Sequence, residues 1–263
     1  MKIFLSTVLA LWLGVIPYAP PLFTGIAFDN SSQNAFAASS SFTITSTHNV
    51  GSGATVLFAC GTGSTGFAPM TASFNGVSMT SIASSDTGGY HEQAFYLINP
   101  AAGSHTLSIT QSDAGAGSNY LALAGVSYSG ADTTTVPEDA ANTGTDDGNA
   151  QPTHTTIADN AWIFVCSGGS TDGNQQVPAG DPLGTLRATA HATFMSVGAF
   201  DNGPQTPAGS TGVHTESAGT SFQPWIAFTF APSTGGGGGG SGVPPGLIRN
   251  FPIGGCCSIQ GRD

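Results

Sequence analysis

Charge is what this chain has least of. Only 7% of its 263 residues are Asp, Glu, Lys or Arg, against roughly 25% in an ordinary domain, so solubility rests on Ser, Thr, Asn and Gln. The few charges are lopsided: 4 Lys and Arg face 15 Asp and Glu, a net charge of -11. A surface of that sign repels phosphate backbones and anionic lipid, so nucleic-acid partners are not expected. Catalytic patterns are missing too. There is no G-x-S-x-G elbow, no H-E-x-x-H zinc helix and no strand of alternating carboxylates of the kind that closes on a glycosidic bond. Glu92, Glu138 and Glu216 lie far apart in sequence. The expectation is a non-enzymatic protein with no catalytic residue, no metal and no cofactor.

Helical periodicity is absent as well, and short apolar runs bounded by turn formers take its place. One run is stated twice. Ala54 to Cys60 recurs as Asn160 to Cys166, with Phe58 matching Phe164, Cys60 matching Cys166 and Gly63-Ser64-Thr65 matching Gly169-Ser170-Thr171. The same offset carries Thr47-His48 onto Thr153-His154 and Ala102-Gly103-Ser104 onto Ala208-Gly209-Ser210. This is an internal duplication.

Around these runs the chain reads as strand and turn. Ser41 to His48 alternates in Phe-Thr-Ile-Thr fashion, and Asn75-Gly76 between Thr71–Phe74 and Val77–Ile82 signals a tight hairpin. Further strands are expected over Tyr90–Ile98, Thr106–Thr110 and Tyr120–Tyr128. In the second half they are expected over Trp162–Cys166, Leu186–Ala190, Thr193–Phe200, Val213–Glu216 and Trp225–Phe230. Ser129 to Gln151, polar and without period, reads as a long connection. Gly61-Thr62-Gly63-Ser64-Thr65-Gly66 matches G-x-G-x-x-G, but Phe67-Ala68-Pro69 follows where a phosphate site needs a helix, so it reads as a turn. About twelve short strands define an all-β fold, an antiparallel jelly-roll-like β-sandwich with internal duplication. Two arrangements fit: one sandwich with a pseudo-two-fold, which is favoured, or two small sandwiches in tandem.

The ends differ in composition. Met1-Lys2, the apolar run Ile3–Ile16 and the small-residue pattern Ala35-Phe36-Ala37 read as a signal peptide over residues 1–37. The run is shorter than the roughly 20 residues that span a bilayer, so no stable membrane insertion is expected after its removal, and the location is secreted or cell-surface. Residues 38–232 form the duplicated sandwich, with halves at about 41–130 and 153–232. Residues 233–242 are a Gly-rich tether, and residues 243–263 are a tail too small to fold alone.

Asn75-Gly76-Val77-Ser78-Met79-Thr80, Tyr96-Leu97-Ile98-Asn99-Pro100-Ala101-Ala102-Gly103-Ser104-His105 and Val126-Ser127-Tyr128-Ser129-Gly130 together resemble a group of uncharacterised β-rich proteins, bacterial secreted or phage and virion-surface. The resemblance covers roughly residues 45 to 232. It implies a jelly-roll-like sandwich in an extracellular or particle-surface setting and no catalytic residue; the signal peptide speaks against a virion protein.

Cys60 and Cys166 each share a strand face with the phenylalanine two residues earlier, so both sulfurs point inward. A disulfide between them is expected, with two buried thiols as the alternative. His48 and His154, at equivalent positions, form a possible metal pair weighed against two ordinary strand-end histidines, which is preferred. Asp146-Asp147-Gly148-Asn149 and Asp172-Gly173-Asn174 read as polar turns rather than calcium loops. Phe58, Phe164, Trp162 and Trp225 read as core, leaving Tyr90, His91 and Tyr120 as candidates for a ligand surface. In the tail, Leu247, Ile248, Phe251, Ile253, Cys256 and Cys257 are candidates for contact between subunits. The reading that follows is a secreted structural subunit that assembles with copies of itself into a fibre or surface layer. The alternative is a lectin-like module that binds glycans.

Overall fold

A computed structural model describes residues 25–39, 43–64, 69–87, 89–112, 119–146, 149–150, 154–169, 184–192, 195–210, 216–217 and 223–233. The first half carries β1 (Ala27–Ser39), β2 (Thr43–Val50), β3 (Ala54–Ser64), β4 (Met70–Phe74), β5 (Val77–Ser78), β6 (Thr80–Thr87), β7 (Tyr90–Ile98), β8 (Gly103–Gln111) and β9 (Asn119–Ser129). The second carries β10 (Asn142–Asp146), β11 (Asn149–Ala150), β12 (Thr155–Thr156), β13 (Ala161–Gly169), β14 (Thr185–Ala192), β15 (Met195–Gln205), β16 (Gly209–Ser210), β17 (Glu216–Ser217) and β18 (Gln223–Phe230). Among the described residues every strand pairing is antiparallel.

The first half folds into two facing sheets, one ordered β1-β9-β3-β7-β6 and one ordered β2-β8-β4-β5. Successive strands from β1 to β4, and from β7 to β9, switch sheets at each step. The second half repeats the larger sheet as β10-β18-β13-β15-β14. The copies agree in detail. Cys60 lies opposite Ala94 and Ala124, and Cys166 lies opposite Ala199 and Ile226. The bulge between Ser81 and Ala83 returns between Leu186 and Ala188. The Asn49–Ser104 and Val50–Gly103 pairs return as Thr155–Ser210 and Thr156–Gly209.

The two five-stranded sheets pack face to face, which makes three layers. β3 lies against β13, β9 against β15, β7 against β18, β1 against β14 and β6 against β10. Each strand therefore meets the counterpart of the strand on the other side of the centre, the exchange that a two-fold running between β3 and β13 produces. The Cys60–Cys166 disulfide joins those two strands at equivalent positions, with Cα atoms 5.5 Å apart and 106 residues between them in sequence. The structure thus combines the two arrangements weighed from the sequence. The copies meet across a pseudo-two-fold, and the first also closes a sandwich of its own.

Burial of the central sheet on both faces explains its composition. Along β3, Val56, Phe58 and Cys60 enter the core shared with the second half, while Leu57 and Ala59 enter the core beneath β2, β4 and β8. Such a strand reads as a continuous apolar run. Gly61 to Ser64, read from sequence as a turn, instead continue β3, and two of the glycines have a packing reason: a side chain at Gly61 would strike Ile109 and Met70, and one at Gly63 would strike Met70 and Gln111. Asn75 and Gly76, with φ of 50° and 76°, form the expected hairpin turn.

Two segments behave differently from expectation. Residues 27–39, read as part of a signal peptide ending at residue 37, form β1, paired with β9 from Ala27 to Ser39. Ile26 is in the core, and Asp29 accepts hydrogen bonds from Gly51 N at 2.9 Å and Ser127 Oγ at 2.7 Å. The Ala-Phe-Ala pattern is part of this strand, where half-buried Ala35 and Phe36 pack against opposite cores. The connection after Ser129 also contains β10 and β11. Asn-Thr-Gly-Thr-Asp carries no apolar residue because β10 is an edge strand paired only with β18.

A chain beginning at residue 38 loses the burial of Ile26 and the bonds of Asp29 and Ser32. It should be less stable in urea than a chain beginning at residue 25 by about 3 kcal/mol or more. Equal midpoints for the two would show that β1 contributes nothing.

Candidate functional site

At one end of the seam the segments that enter and leave the sheets leave a pocket of about 830 Å³. Gly25 and Ile26 reach it ahead of β1, Asp132, Thr135 and Glu138 from the segment after β9, Ile157 to Asn160 ahead of β13, and Pro204, Ala231 and Pro232 from the far strand ends. Trp162, the second residue of β13, forms part of its wall, and its ring lies so close to Gly203 that no side chain fits there.

Local hydrogen bonds hold this wall. Asn160 takes φ of 62°, its amide donates to Gln205 O at 2.8 Å, and its Oδ1 accepts from Thr206 Oγ1 at 2.7 Å. Asp159 Oδ1 accepts from Ala208 N at 2.7 Å, and Glu138 Oε1 accepts from Ala158 N at 3.0 Å. Asp132 Oδ1 accepts from the amide and hydroxyl of Thr134, both at 2.9 Å. Glu138 Oε2 is buried and has no hydrogen-bond partner among the described residues. Ile157 is 60% exposed. Apolar wall and carboxylate acceptors thus share one concavity, a combination that suits a hydroxylated organic ligand.

Other polar groups are enclosed. His48 is fully buried, with Nδ1 2.9 Å from Ser32 Oγ and Nε2 3.1 Å from Ser127 Oγ. Ser127 donates to Asp29, so its oxygen accepts from His48 Nε2–H, and Ser32 donates to Nδ1. The relay ties β2 to β1 and β9. Burial pushes the His48 imidazole down to about 4, against a smaller opposing pull from Asp29. His154 at the equivalent position has its own aspartate, Asp139 Oδ1 at 3.3 Å from Nε2. Its imidazole is lowered by burial, against Asp139 and Glu138. Each histidine is thus occupied in its own half.

At the seam, Asp201 Oδ2 accepts from Tyr128 OH and from Arg187 Nε, both at 2.6 Å, and the Arg187 guanidinium lies 4.6 Å from the Phe28 ring centre. Burial first, then Asp201, raises the Tyr128 phenol well above its ordinary range. Glu92, fully buried, accepts from Thr62 Oγ1, and a side chain at Gly168 would overlap both. Cys60, Glu92 and Cys166 form the only cluster of potential metal ligands among the described residues. The two sulfurs are bonded to each other, which removes the thiolates a metal would need.

Of the residues singled out from sequence, Cys60 and Cys166 form the expected disulfide. His91 does not offer an exposed surface: it is buried, with Nδ1 facing Asp86 and Nε2 facing Gln93, because the central sheet is covered on both sides. Tyr90 and Tyr120 are half-buried and pack on the shared core. Leu247, Ile248, Phe251, Ile253, Cys256 and Cys257 lie outside the described residues, as do Asp172-Gly173-Asn174. The pocket was missed, since its residues come from five separate stretches with no common motif. Trp162, assigned to the core, is both core and wall.

Fold and seam define a duplicated, disulfide-linked antiparallel sandwich. Comparison with protein-family models, curated proteins and solved structures returned no match.

The lowered imidazoles set an acid limit. A histidine held neutral in the fold but free to protonate at its ordinary 6.5 when unfolded contributes stability that is complete above pH 6.5 and is lost as pH falls towards 4. Between pH 7 and 4.5 His48 alone should cost about 2 kcal/mol. Urea titrations at the two pH values should show a shallower loss for His48→Gln than for the parent chain; parallel losses would contradict this assignment.

Proposed function

We propose that this chain is a non-enzymatic extracellular module that binds carbohydrate in the pocket at the end of the seam. The observation that carries this reading is the pocket's mixed lining, with Trp162, Ile26 and Ile157 beside Asp132, Glu138, Asp159 and Asn160. A sugar ring offers the matching pair of surfaces, a weakly polar face of C–H groups and a rim of hydroxyls that donate to carboxylates. A disulfide linking the centres of both sheets suits an oxidising compartment. Among the described residues no helix is long and apolar enough to cross a membrane. The fibre or surface-layer reading rests on residues 243–263 and is the competing outcome.

Glycan-array screening of the full chain should return saccharide ligands. Asn160→Gly keeps the positive φ while removing the side chain, and it should weaken them by about tenfold. A blank array would favour the structural reading, and full binding by the variant would place the sugar outside this pocket.

A further inference from the structure

Among the described residues the pocket has one sign of charge. Asp132, Glu138 and Asp159 line it, and none of the described lining residues is Lys, Arg or His. Arg187 is the only Lys or Arg among the described residues, and it is held by Asp201. The net charge of -11 reinforces the local field. Uronic acids, sialic acids and phosphorylated sugars are therefore disfavoured.

A lone metal ion does not fit either. The three carboxylates form no group close enough to share an ion among the described residues, at least one oxygen of each, and both of Asp132, already accept a hydrogen bond, and about 830 Å³ is room for an organic molecule. What remains is a ligand with an apolar ring face and a positive charge. Glu138 is placed to meet that charge, because it lines the pocket and Ala158 N holds its carboxylate through Oε1. Resting on the carbohydrate reading above, we infer that the pocket selects amino sugars in the free-amine form, with the ammonium received by Glu138 and the ring lodged beside Trp162 and Ile157.

The test is calorimetric titration of the full chain with three probes: a fully deacetylated chitin tetramer, its N-acetylated counterpart and a glucose tetramer. Acetylation removes the charge and keeps the ring. The deacetylated tetramer should bind at least about tenfold more tightly than the other two, and Glu138→Gln, which keeps an oxygen for Ala158 N, should abolish the difference. Ile157→Lys places a cation at an exposed rim position where folding is not at risk, and it should weaken the same probe. Equal binding of all three probes would overturn the amine preference while leaving a carbohydrate pocket. Undiminished binding by both variants would overturn it by placing the contact elsewhere. Binding of none would overturn both readings.

Discussion

The packing of β3 on β13 is the contact on which the other layers depend. Both are the middle strands of five-stranded sheets, and between them Phe58 and Phe164 stand 4.9 Å apart, with Phe228 and Phe230 4.9 and 5.0 Å from Phe58. Each of these rings is fully buried, worth roughly 2–3 kcal/mol apiece in area removed from water. The disulfide closes a span of 106 residues at the same place, a constraint on the unfolded chain of roughly 4 to 5 kcal/mol. Covalent link and aromatic packing therefore act on one contact. With that contact made, the central sheet has no free face, since β2, β4 and β8 cover its other side.

Duplication made the two sheets alike, and the seam shows where they have diverged. Tyr128, Asp201 and Arg187 form a buried polar link on one side of the disulfide. The positions that replace them in the other copy are Phe230, Tyr96 and Ile82, as the pairings of Val56 with Tyr128, Trp162 with Phe230 and Phe58 with Tyr96 establish. Glu92 and Thr62 are likewise replaced by Val197 and Gly168, and the missing side chain of Gly168 is what admits the acid. A buried ion pair adds little net stability once desolvation is counted, but it penalises any arrangement that separates its members.

Much of the fold was legible because its signals are local. The apolar runs around Phe58 and Phe164, the Asn75-Gly76 turn and Tyr90–Ile98 as a strand all appear where the residues imply them. The repeat also paired Cys60 with Cys166 correctly. What escaped was structure without an apolar signature. β10 is polar throughout, and β1 is an edge strand whose Ala-Phe-Ala mimics a cleavage site. The third layer was equally invisible, since an apolar run records burial on both faces but not which sheet supplies each cover. The pocket, made by strand ends meeting only in three dimensions, left no spacing to read.

The central claim is that equivalent strands of two copies meet face to face at Cys60 and Cys166. Peptide mapping of the native chain under non-reducing conditions, with free thiols alkylated first, tests it most directly. The account predicts a single linked pair of peptides carrying Cys60 and Cys166. Recovery of both as alkylated thiols, or of either joined to Cys256 or Cys257, would contradict it.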